Sequence, residues 1–65
     1  MTYKAIQKAV IAAMQKPCTR QIAGVRVQTV HYGQRRAVYV MGEEMSTGVH
    51  AAGVIYEMYR ASGRA

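Results

Sequence analysis

The sequence predicts an α+β domain in which two helices pack on one face of an antiparallel β-hairpin, in the order helix, strand, strand, helix. Three observations predict it. Apolar residues recur at helical spacing over residues 2–16, alternate at a spacing of two across 20–41, and return to helical spacing over 46–61. With 65 residues the chain has room for one domain, 1–65, which at this size buries only about 60% of the surface of its unfolded chain.

In the first helix Thr2 is placed to cap the opening turn. Tyr3, Ile6, Val10, Ala13 and Met14 share one arc with Ala9 beside them, while Lys4, Lys8 and Gln15 lie opposite. Pro17 cannot continue the helix and disfavours helical geometry at Lys16. Ile11 falls among the lysines and is expected to be an exposed apolar residue or part of a contact patch.

The hairpin is expected over 20–41. Val25, Val27, Thr29 and His31 alternate with Arg26, Gln28, Val30 and Tyr32, and the second arm runs Arg36 to Met41. Gly33-Gln34 lies between the arms, and a glycine suits the first central position of a type II′ turn. That turn sets Val27 against Val40 and Thr29 against Val38, with Val25, as the core face. Arg26, Gln28, Val30, Tyr32, Arg35, Ala37, Tyr39 and Met41 then share the outward face, and a slip of one residue would exchange the two. Ile22 is expected to begin the first strand, with Gly24 at a bulge or bend.

The second helix is capped by Ser46 or Thr47, with Glu43 and Glu44 expected near the positive end of its dipole. Met45, Gly48, Val49, Ala52, Ile55, Tyr56 and Tyr59 form its core arc. A weaker apolar strip, Thr47, Ala51, Val54 and Met58, is expected to stay exposed. Gly48 and Gly53 each cost about 1 kcal/mol against Ala in a helix interior, which points to close approach of another backbone, or at Gly48 to an irregular helix start. Gly63 ends the pattern, and residues 62–65 are expected to fray.

Composition limits what such a domain can do. There is no Leu, Phe or Trp, so the core is made from Ala, Val, Ile, Met and Tyr. A core of small side chains favours close backbone packing and help from self-association or a partner. Nine Lys and Arg against three Glu give a net charge of +6. That balance suggests a polyanion or an acidic protein surface as partner, against the plainer reading that it only keeps the chain in solution. The lone Cys18 excludes an intrachain disulfide framework and favours a reducing compartment. The opening residues lack the apolar run of a signal peptide and no stretch reaches the length of a membrane span, so a cytoplasmic location is expected.

Catalysis is not expected. Cys18 could pair with His31 or His50 only without an aspartate to orient the base, because the chain has none. One cysteine and two separated histidines do not make a zinc set, and no phosphate-binding glycine motif appears, so no metal or cofactor is expected. Binding is the better reading. Nucleic acid is expected on the outward hairpin face, where Arg26 and Arg35 accompany Tyr32 and Tyr39, with Arg36 beside the turn and Lys4 and Lys8 extending the field. The competing expectation is a protein-binding regulator or inhibitor that uses Ala51, Val54 and Met58 on the second helix, or a homodimer formed there.

The segment Val30-His31-Tyr32-Gly33-Gln34-Arg35-Arg36-Ala37-Val38-Tyr39, within a helix–hairpin–helix order, resembles the hairpin of the small phage head–tail joining proteins. That resemblance implies a structural joining role. The chain departs from the family in its second helix, which has two glycines and no Leu where an acidic, Leu-rich one is expected. Small single-domain chains of this type are also common among phage and mobile-element accessory proteins, inhibitors of host machinery included.

Overall fold

A computed structural model describes residues 2–63. Two helices pack on one face of an antiparallel sheet, and the sheet has four strands rather than two: α1 (Tyr3–Ala13), β1 (Cys18–Ile22), β2 (Val25–Tyr32), β3 (Arg35–Val40), β4 (Glu43–Met45) and α2 (Gly48–Ala61). The strand order is β1-β2-β3-β4, so each strand pairs with its neighbour in sequence.

The central hairpin has the register that its turn predicts. Val27 pairs with Val40 and Thr29 with Val38, around Gly33-Gln34. Gly33 has φ +60 and Gln34 does not have a positive φ, the signs of a type II′ turn. The two added strands arise at turns that the sequence disguises. Ala23 and Gly24 both have positive φ, as do Met41 and Gly42, the signs of type I′ turns. The bulge or bend expected at Gly24 is therefore the turn between β1 and β2. Met41 is a turn residue rather than the end of a strand. Glu43 and Glu44 are strand residues opposite Val40 and Tyr39, and the first turn of α2 holds no acid.

α1 stops at Ala13, three residues before the expected end, because β2 captures its carbonyls. The buried Thr29 hydroxyl lies 3.0 Å from the Ala13 carbonyl and 2.9 Å from that of Lys16, and it accepts the Cys18 N–H at 3.1 Å. The His31 ring reaches the Met14 carbonyl at 3.2 Å. Carbonyls left open at a helix end are thus paired by strand side chains, and the chain leaves the helix toward β1. At the other end Thr2 caps α1 through the Ala5 N–H.

The core holds Ile6, Val10 and Ala13 of α1, Ile22, Val25, Val27, Val38 and Val40 of the sheet, and Ala51, Ala52 and Ile55 of α2. The two helices meet over the small residues, and Tyr3 stands edge-on to Tyr56 with ring centroids 5.5 Å apart. Gly48 sits tightly there, since a Cβ at that position would come within 2.9 Å of the Met14 sulfur and the flexible methionine end would have to shift. What approaches Gly48 is a side chain rather than a backbone.

α2 buries Ala52 and Ile55 of its expected core arc, with Met45 and Tyr56 packed against the core, but the arc's edges are shifted. Thr47 caps it by accepting the His50 N–H. Val49, placed in the core arc by spacing, is 63% exposed, and Ala51, placed on the exposed strip, is fully buried. Alanine carries little weight in helical periodicity, so the burial of Ala51 leaves little mark on it. The helix ends with Ser62 as its cap and Gly63 at φ +78, where the Gly63 N–H bonds the Arg60 carbonyl. Residues 62 and 63 are therefore hydrogen-bonded rather than frayed. The expectation for 64 and 65 lies outside the described residues.

Candidate nucleic-acid interface on the central hairpin

β1 pairs with β2 only as far as Thr29, and β4 pairs with β3 only from Val38. Residues 30–37 therefore run on past both flanking strands as a two-stranded ribbon. Tyr32, Gly33, Gln34, Arg35 and Arg36 are all exposed in it. The long axis of the molecule is 38 Å against 20 and 18 Å for the others.

Strand alternation deals the candidate residues to two faces. On the face away from the helices the cross-strand pairs from base to tip are Gln28 with Tyr39, Val30 with Ala37, and Tyr32 with Arg35. Arg26 lies on this face below them. The hydroxyls of Tyr32 and Tyr39 meet at 3.3 Å, so the two rings lean toward each other across the Val30–Ala37 pair. That cover explains why Ala37, on the outward face, is only 3% exposed. The bond to Tyr32 is the largest cause holding the Tyr39 phenol above its ordinary pKa, followed by partial burial.

The arginines are less concentrated than the sequence suggests. Arg26 and Tyr32 are six residues apart on β2, roughly 20 Å along the strand, so Arg26 and Arg35 stand at opposite ends of the face. Arg35 is bound to Glu44, with Nη2 to Oε2 at 3.1 Å, in a well-exposed pair. Arg36 is exposed on the other face of the ribbon, opposite His31. Lys4 and Lys8 lie on the outer side of α1, two positions away from the buried Ile6 and Val10. The helix layer and the sheet thus separate them from Arg26, Arg35 and the tyrosines. The structure brings Tyr32, Tyr39 and Arg35 together, places Arg36 back to back with them, and leaves both lysines and Arg26 apart.

Of the residues expected at a protein interface, Ala51 is buried and presents no surface. Val54 and Met58 do line a shallow hollow of about 420 Å³ with His50, Gly53 and Glu57.

The Cys18 thiol is held below its ordinary pKa, first by the Thr29 hydroxyl 3.5 Å from its sulfur and then by Arg20 and Lys16, against an opposing effect of burial. Among the described residues, no three of His, Cys, Asp and Glu gather where they could hold a metal ion, and no helix is long and apolar enough to cross a membrane. Comparison with family models, with curated proteins and with solved structures finds no match for the chain.

Proposed function

We propose that this chain is a non-catalytic nucleic-acid-binding protein that works through its projecting β2–β3 ribbon. The observation that carries the reading is the ribbon itself: residues 30–37 extend beyond both flanking strands, with Tyr32 and Arg35 on one face and His31 and Arg36 on the other. A two-stranded ribbon is narrow enough to enter a major groove. Arginines on its two faces address phosphates on both walls of that groove, contacts that position a protein without reading sequence. The tyrosine pair supplies aromatic surface beside Arg35, where an unpaired base can stack. Arg26, about 20 Å along the strand, meets phosphates further along the same strand.

The test is fluorescence anisotropy of labelled single- and double-stranded oligonucleotides at several salt concentrations. Affinity is expected to fall linearly on a log–log salt plot. Arg35→Ala with Arg36→Ala should weaken binding and reduce the salt slope by about two, whereas Lys4→Ala with Lys8→Ala should change it less. An unchanged affinity in the arginine double variant would remove the ribbon as the site. Absence of binding at low salt would remove the function.

A further inference from the structure

Gly53 is a mid-helix glycine that no contact among the described residues requires. Its φ is not positive, and a Cβ at that position would find no atom within 4 Å beyond its chain neighbours and its own stretch of helix backbone. Glycine there costs about 1 kcal/mol of helix stability against alanine. The feature it creates among the described residues is external: the floor of the hollow lined by His50, Val54 and Glu57, with Met58 at one end. His50, Gly53, Val54 and Glu57 stand at i, i+3, i+4 and i+7, the four positions whose side chains surround a hole that takes one side chain from a facing helix.

We propose that this hollow is the dimer interface of the protein, and that a second copy of α2 lies antiparallel across it. The face is complementary to itself. With the two-fold axis midway between residues 53 and 54, Val54 of each copy enters the hollow over Gly53 of the other. The same axis sets His50 of each copy opposite Glu57 of the other, so that an imidazole N–H donates to a carboxylate at both ends. The missing Cβ lets the helix axes approach at the near end of the usual 8–10 Å range.

Charge favours this occupant. Seven of the described cations, Lys4, Lys8, Lys16, Arg20, Arg26, Arg35 and Arg36, lie outside α2. α2 itself carries one Glu and one Arg, and Arg60 lies over the Tyr56 ring at 5.8 Å. It is the helix on which two copies of a chain with net charge +6 can meet without repulsion. A contact limited to one helix pair belongs at the small end of specific interfaces, so the dissociation constant is expected on the order of 10–100 μM.

Sedimentation equilibrium across that range tests the proposal without nucleic acid, so its outcome is separate from that of the binding function. The wild type is expected to pass from monomer to dimer. Gly53→Leu should raise the dissociation constant by at least about tenfold while its circular dichroism stays native. His50→Glu alone should also weaken the dimer, because it sets a second carboxylate against Glu57 at both ends of the contact. Adding Glu57→His should restore it by exchanging the partners. A chain that stays monomeric at every concentration overturns the proposal and leaves the hollow to a different protein. So does a dimer that is indifferent to Gly53→Leu, or a double exchange that fails to rescue.

Discussion

At the scale of single residues, the position that ties the layers together is polar. The Thr29 hydroxyl, buried at the core edge, has one proton shared between the Ala13 and Lys16 carbonyls and accepts the Cys18 N–H, where the chain passes from α1 to β1. Thr29→Val keeps the shape, removes the hydroxyl and strands those groups. The expected loss is about 1–3 kcal/mol in urea unfolding, and a loss under about 0.5 kcal/mol would show that they find other partners. The tyrosine pair gives a second residue-level prediction. The Tyr39 phenol is raised above its ordinary value near 10, chiefly by its bond to Tyr32. A raised folded value means that its contribution to stability is complete below pH 10 and is lost as the pH climbs through the folded value. In Tyr32→Phe the Tyr39 titration, followed by its ring resonances in NMR, should move down toward the ordinary value. A titration that stays in place would assign the shift to burial instead.

At the scale of elements, what the sequence conveyed depended on how much side-chain contrast each element carried. The central hairpin was legible to the register, because valines alternate with polar residues and Gly33 marks the turn. β1 and β4 were not. Cys18–Ile22 and Glu43–Met45 are short edge strands whose residues are mostly exposed, so they show little alternation. Their turns use Ala-Gly and Met-Gly where Asn-Gly is the recognisable pair. The aromatic–basic cluster was legible for Tyr32, Tyr39 and Arg35 through alternation alone. The ion pair between Arg35 and Glu44 was not, because it depends on the unforeseen β4. Val49 and Ala51 of α2 were misplaced for a related reason, since alanines and glycines give helical periodicity little to weigh. Met41 holds a φ of +52 without being glycine. Met41→Asn, a residue that tolerates the left-handed region, should stabilise the protein by about 0.5–1 kcal/mol in thermal melts. No gain would mean that the methionine side chain contributes packing of its own.

At the scale of the whole molecule, positive charge is spread over both layers. The nonspecific attraction of a polyanion therefore acts over most of the molecule, α2 excepted, while the ribbon sets how it docks. A dimer through α2 would carry two ribbons and double the number of phosphates within reach. The strand order has a further, kinetic consequence. Because each strand pairs with its neighbour in sequence, the sheet can zip along from turn to turn with only short loops to close. The element contact with the largest sequence separation is α1 on α2, between the two helices that bracket the sheet. The local strand pairings favour fast folding, while the helix–helix contact, which closes nearly the whole chain, works against it. A tighter Met41–Gly42 turn in Met41→Asn would then appear in stopped-flow traces as quicker refolding as well as a higher melting point, with the closing of the two helices over the sheet as the final, cooperative event.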